Sequence, residues 1–464
     1  MSAADVNAPL AAPGQPRRIP RASGGLPLIG HSLRLLRDPL PLLDSLSAYG
    51  NLVSVRVGPL DLIFICDPAL ARRVQLDDRT FDKGGALWRR IRETLGDGLL
   101  TCPHSRHRRQ RRLTQPAFNS PRMPGYAKTI GDETAALLAT WHNGRLVDVV
   151  AETTELSMRI ALATMFSTGL PPESRDHFIA DLDVLLQGAY RRSLTPPAIT
   201  RLPTPGNRRY LQAGERMRHM LETIVAERRA RGGDRGDLLS ALLAARDEEA
   251  DPAVGESARL SDGEVIDQVV TFFTAGSETT AGIVQWALHE LTKAPEVAER
   301  VRAEVDEVLA GAPAGIEHLP RLAETGRVVS EILRLYPPGW FVMRQVTADI
   351  DLGGHRLPAG STLVVSSYVI HNRADLYENP RHFDPARWLD PGRSSPQNDA
   401  YFPFGMGARK CIGDQFGRLS STLMLADIMA KWRLEAVPEH PVRLEAGLTL
   451  RPAGLKLRAI ARTP

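Results

Sequence analysis

Apolar residues recur at two spacings along this chain, and the spacing changes with position. Val53, Val55 and Val57 alternate with Ser54 and Arg56, Gly58-Pro59 breaks the run, and a second apolar run follows at 62–66. Period two on both sides of turn residues predicts a β-hairpin. From about residue 127 to 335 the spacing becomes helical. The clearest helix spans about 262–292. Ser261 and Glu264 form a capping box at its start, and Val265, Val269, Phe272, Phe273 and Gly276 follow at helical spacing. At 1.5 Å per residue it is roughly 45 Å long, and so apolar a helix belongs at the centre of a domain. Further helices are predicted at about 296–309, behind Pro295, and at about 320–335, stopped by Pro337-Pro338. Residues 341–400 turn to short β-like runs such as 361–365, then to a loop rich in Pro, Arg and Asn. A last long helix starts near Cys411 and passes Leu425, and 442–460 alternates again as strand.

These elements predict a mainly α fold with small β-sheets. No stretch reads as an interdomain linker, so residues 23–464 are expected to form a single domain. Residues 1–22, rich in Ala, Pro and Gly, are expected to be disordered. The chain carries 58 basic and 54 acidic residues, a surplus too small for its overall field to name a partner. The densest basic run is His104-Ser105-Arg106-His107-Arg108-Arg109-Gln110-Arg111-Arg112. It has no interleaved aromatics for base stacking, so nucleic acid is not an expected partner. Three cysteines, with no Cys-x-x-Cys pair, argue against structural zinc or an iron–sulfur cluster. Their sparse, odd number fits a reducing compartment. Cys66 reads as a small buried hydrophobe, and Cys102 has no obvious partner. No run approaches the roughly 18 apolar residues of a membrane span, and no secretory core is present. A cytoplasmic monomer without a membrane anchor is expected.

The chemistry concentrates in Phe404-Gly405-Met406-Gly407-Ala408-Arg409-Lys410-Cys411-Ile412-Gly413. The early glycines permit a tight turn close to a flat ligand. Cys411 lies just before a helix, where backbone N–H groups favour a thiolate and lower its pKa. Gly413 leaves room for that helix to approach the ligand, and Arg409 can reach an acidic group at the ligand's edge. The pattern Phe404-x-x-Gly407-x-Arg409-x-Cys411-x-Gly413 resembles the haem-binding signature of the cytochrome P450 family. Five residue types at fixed spacing match by accident roughly once in 10⁷ positions. The resemblance covers about residues 24–460. It implies the fold of that family, with the long central helix beside a buried haem b (iron protoporphyrin IX), and Cys411 as the axial thiolate on the iron.

Other motifs stand in the order of that family. Glu331-Ile332-Leu333-Arg334 resembles its Glu-x-x-Arg pair and, with Arg387 in Phe383-Asp384-Pro385-Ala386-Arg387-Trp388, implies a buried structural network behind the haem. Ala275-Gly276-Ser277-Glu278-Thr279-Thr280 resembles its oxygen-binding motif. Gly276 is costly within a helix, but it opens space for dioxygen. Thr279 and Glu278 are the implied catalytic residues, delivering protons as the O–O bond breaks. Glu278 stands where many relatives have Asp.

Haem propionates need cations. His107 and Arg111, one helical turn apart and followed by Gln115-Pro116-Ala117-Phe118, resemble the helix that binds them. Trp88-Arg89-Arg90-Ile91-Arg92 is a rival match. Arg344 and Arg409 are the further candidates. The remaining arginines and Lys410 offer a basic docking surface for an acidic electron-transfer protein. No reductase motif lies in the chain, so a ferredoxin and its ferredoxin reductase are the implied donors, with O2 as co-substrate. By family position the pocket takes residues from 85–101, the 185–200 region, Phe272, Phe273, Ala275, Trp340 to Val342, and Leu448-Thr449. These are nearly all apolar and suit a hydrophobic small molecule. Stretches 25–31, 107–118, 190–192 and 201–210 are similar to actinobacterial sesquiterpene oxidases of the pentalenene-oxygenase kind, which implies a cyclic terpene of secondary metabolism. A fatty acid or polyketide substrate, and peroxide-using or oxidative-coupling chemistry on the same fold, stay open.

Overall fold

The computed structural model describes residues 18–167, 171–195, 197–250, 257–389 and 400–462. Part of the Pro- and Arg-rich loop, residues 390–399, lies outside them, as do the side chains of Tyr190 and Arg191 in the expected pocket region.

The hairpin forms where the alternation predicts it, with Leu52–Val57 antiparallel to Leu60–Ile65. It is one edge of a five-stranded mixed sheet that continues through Thr362–Val365, Val342–Val346 and Phe81–Asp82. The amino-terminal segment corrects the expectation of disorder up to residue 22. Ser54 N donates to Pro20 O at 2.8 Å and Ala22 N to Ser54 O at 3.0 Å. The physical reason is that an edge strand offers unpaired backbone groups to any extended neighbour, whatever its composition.

The rest is helical. Asp262–Lys293 runs for 32 residues, with both hydrogen bonds of the capping box in place. It packs against Val149–Phe166, Pro205–Arg231, Ala323–Leu335 and Asp414–Lys431, which makes it the axis of the fold. Phe273 belongs to this core and not to the pocket. Its ring meets those of Phe178 at 4.8 Å and Phe166 at 5.8 Å. One residue earlier, and about 100° round the helix, Phe272 meets Phe118 edge-on at 5.0 Å.

The central helix is interrupted as a buried element at one place. Ala275 is exposed and Gly276, Glu278 and Thr279 are half-buried, while residues 271–274 before them and 280–288 after them are buried. An exposed position on the axis of the domain faces an internal space. Small sheets close the other side, with Leu146–Asp148, Lys456–Ala461 and Trp432–Ala436 forming one of three strands. Among the described residues, no helix is long and apolar enough to cross a membrane.

Candidate active site

Cys411 is carried by a loop that its glycines make possible. Gly405 and Gly407 hold φ of +71° and +67°, and a Cβ on Gly407 would stand 2.8 Å from Gln75 O. Only glycine fits there. The loop is closed by Cys411 N donating to Phe404 O at 2.8 Å and tied down by Met406 N donating to Gln75 Oε1 at 3.0 Å. At Gly413 a Cβ would meet Phe118 at an ordinary 3.7 Å, so protein neighbours alone do not demand glycine there.

Cys411 lines a cavity of about 480 Å³ with Arg111, Gln115, Phe118 and Lys410. Burial pushes its thiol pKa up, against the lowering effect of the Gly413 backbone N–H, Arg111 and Lys410. The expected depression by the helix start is therefore outweighed. The helix begins only at Asp414, three residues on, and a bound metal cation is what would deprotonate this sulfur.

Cations gather on one side of the sheet. Arg344 is buried on an inner strand, and its Nε has no hydrogen-bond partner among the described residues. Burial and the neighbouring Arg409 pull its pKa down to about 10. Lys83 is buried too and is held well below its ordinary pKa, first by burial and then by Arg344 and Arg409. His107 is pushed down to about 3 by burial, then by Arg409 and Lys83. Arg409 is paired with Asp78 at 3.0 Å and Asp82 at 3.2 Å. Two carboxylates thus serve Arg344, Arg409 and Lys83 in a poorly solvated site. Trp88, from the rival match, lies under Lys83 at 4.9 Å, and its buried indole N–H has no partner among the described residues. Arg111 stands slightly apart, donating to Lys410 O at 2.6 Å and Gln115 Oε1 at 2.9 Å. Lys83 escaped sequence reasoning because a lone lysine before a glycine is ordinarily a solvated turn residue.

On the central helix, Thr279 Oγ1 donates to Ala275 O at 2.6 Å. That is the back-bond of an ordinary helical threonine, and it leaves the oxygen's lone pairs available. Glu278 accepts from Thr449 Oγ1 at 3.5 Å. Burial raises its pKa, and Arg451 and Thr449 oppose this. A Cβ on Gly276 would meet nothing within 4 Å.

These features fit a haem. The unpartnered Nε of Arg344 and the surplus of buried cations call for an anionic edge, the open space at Ala275 and Gly276 would accept a flat group, and the thiol would supply a soft ligand to its iron.

Behind this site, Arg334 binds Glu331 through two hydrogen bonds, and Arg387 Nε lies 3.5 Å from Glu331. Trp388 Nε1 also donates to Glu331, at 3.0 Å, a contact the motif did not announce. The basic run behaves differently from the docking surface expected of it. Arg106 pairs with Asp97, Arg108 with Glu249 at 3.4 Å, Arg109 with Glu264 at 2.6 Å and Arg112 with Asp247 at 2.7 Å. These four arginines bind their helix to acidic residues of the same chain, three of them distant in sequence, and so offer less free charge to a partner. A basic run becomes a docking surface only where the fold leaves it without acids of its own.

The profile of the cytochrome P450 family matches residues 20–458, and the chain belongs to that family. It is 40% identical over 96% of its length to pentalenene oxygenase of Streptomyces avermitilis, covering 97% of that protein. It is 43% identical to cyclooctat-9-en-7-ol 5-monooxygenase of Streptomyces melanosporofaciens, over 92% of each chain. Its fold resembles the crystal structure of the cytochrome P450DA haem domain with a TM-score of 0.85, at 28% identity, over 96% of this chain and 98% of that one. The protein is thus a P450 monooxygenase, a family membership that implies haem, redox partners and a hydrophobic substrate.

Proposed function

We propose that this enzyme oxidises a cyclic terpene hydrocarbon. One atom of dioxygen enters a C–H bond and the other leaves as water, at the expense of two electrons and two protons. The observation that carries this reading is the 40% identity over 96% of the chain to pentalenene oxygenase. Apolar side chains at the expected pocket, Leu99, Phe272 and Trp340, support a ligand held by shape.

Haem, when bound, supplies the chemistry of dioxygen activation. The chain's residues hold and serve it. Cys411 would provide the sulfur ligand to its iron. Arg344, Arg409 and Lys83, with Arg111 near the thiol, would neutralise its carboxylates, and His107, uncharged in this site, would donate a ring N–H to them. Phe404, Gly407 and Gly413 shape the loop, and Ala275 and Gly276 leave the open face. Thr279 passes a proton from its Oγ1. Glu278 replenishes it, since burial keeps a carboxyl readier to hold a proton near neutrality. Electrons come from a ferredoxin and its reductase, and the enzyme works as a cytoplasmic monomer.

The test is to supply purified holoprotein with ferredoxin, reductase and a panel of terpene hydrocarbons, fatty acids and polyketides, and to find by mass spectrometry which gains oxygen. A terpene product is expected. Oxygen entering only a fatty acid or polyketide overturns the substrate reading. Turnover with peroxide alone, and none with ferredoxin, overturns the electron route.

A further inference from the structure

Residues 97–102 form a strap between two parts of the molecule that sequence reading kept separate. Its first half hangs on the central helix. Asp97 N donates to Asp267 Oδ2 and Leu99 N to Gln268 Oε1, each at 2.9 Å. Gln268 in turn donates to Gln110 Oε1 at 3.1 Å, and Gln110 Nε2 returns to Asp97 O at 2.9 Å. Both glutamines are buried, at 0% and 1% exposure. The second half holds the cations. Leu100 O accepts from Lys83 Nζ, and Cys102 O accepts from Arg409 Nη1 at 2.8 Å. The approach to the helix is so close that a Cβ on Gly98 would stand 2.2 Å from Thr271 Oγ1 and 2.6 Å from Asp267 O.

A buried glutamine whose donor and acceptor are both spent on a loop and its neighbour fixes that loop's position. We propose that Gln268 is a positioning residue for the haem edge. By seating the strap on the central helix, it sets where Lys83 and Arg409 stand. The inference rests on the reading above that these cations bind the haem carboxylates. It adds a dependence on a side chain that touches neither cation.

Gln268→Leu keeps the bulk and removes both hydrogen bonds. Hydrogen exchange at the Leu99 amide should accelerate about tenfold, and transfer of haem to apomyoglobin should accelerate by about the same factor. The reduced carbon monoxide spectrum should keep its sulfur-ligated band. Gln268→Glu, whose carboxyl when protonated accepts from Leu99 N and donates to Gln110 Oε1, should restore both rates to within about twofold of the parent at about pH 5. If Gln268→Leu does not fold, Gln110→Leu removes the outer link and should give about threefold. A Leu99 amide that exchanges faster while haem transfer stays unchanged overturns the inference. Unchanged haem transfer in Lys83→Met would instead strike the reading that these cations bind the haem carboxylates, so the two failures are separable.

Discussion

Arg334 grips Glu331 with Nη2 to Oε1 at 2.7 Å and Nε to Oε2 at 2.9 Å, and neither side chain is exposed at all. The rest of the guanidinium serves the carbonyls of His371, Pro380 and His382. Arg334→Lys cannot reproduce that fork. It should cost about 3–5 kcal/mol, because it leaves a buried carboxylate half-served. Thermal melting and the yield of folded protein measure this, and a melting point within a degree or two of the parent would contradict it.

Arg344 predicts opposite effects with and without haem. In haem-free protein it is a buried cation whose Nε has no partner among the described residues, so Arg344→Met should leave stability unchanged or raise it. With haem, the same change removes a carboxylate partner and should speed haem loss about tenfold or more. Melting curves of both forms decide. A loss of stability in the haem-free variant would show that the charge is already compensated.

Gly407→Ala places a side chain at a φ of +67° and 2.8 Å from Gln75 O. The expected cost is about 1–3 kcal/mol, seen as a lower melting temperature and weaker haem retention. Gly413→Ala, with a nearest contact of 3.7 Å, should be much milder in haem-free protein.

Thr279→Ala should retain haem and substrate binding but divert electrons. The peroxide released for each reductant consumed should rise several-fold while product falls. The Glu278→Gln variant should behave similarly. Normal coupling of electron use to product in either one removes that residue from proton delivery.

Asp427 gives a pH dependence with a definite sign. Its Oδ1 accepts from Ala314 N at 2.8 Å, and its Oδ2 is buried without a hydrogen bond among the described residues. Burial pushes its pKa from 3.8 to about 6. The folded state therefore binds the proton more tightly than the unfolded one. The stabilisation is full at pH below about 4 and is lost as pH rises through about 6. Asp427→Asn should be more stable than the parent by about 1 kcal/mol at pH 4.5 and by up to about 3 kcal/mol at pH 7.5. Equal shifts at both pH values would show that the carboxyl titrates normally.

Much of this molecule was legible in one dimension. The hairpin, the capping box at Ser261 and Glu264 and the stop at Pro337 are local events, set by alternation, capping and missing donors over a few residues. The Cys411 loop was legible for the same reason: its glycines, arginine and cysteine work within ten positions of one another.

The cation cluster was not legible in this way. Lys83, Arg344 and Arg409 come from three separated segments, with the uncharged His107 of the basic helix beside them, and only the packing of the sheet against that helix brings them together. Nor does the sequence tell that Phe272 and Phe273 part company, or that Arg108, Arg109 and Arg112 are paired with acids far along the chain. Local spacing fixes which groups exist and which face of an element they share. Burial, and the pairing of charges distant in sequence, exist only once the elements have packed, because desolvation and Coulomb attraction depend on distance in space and not along the chain.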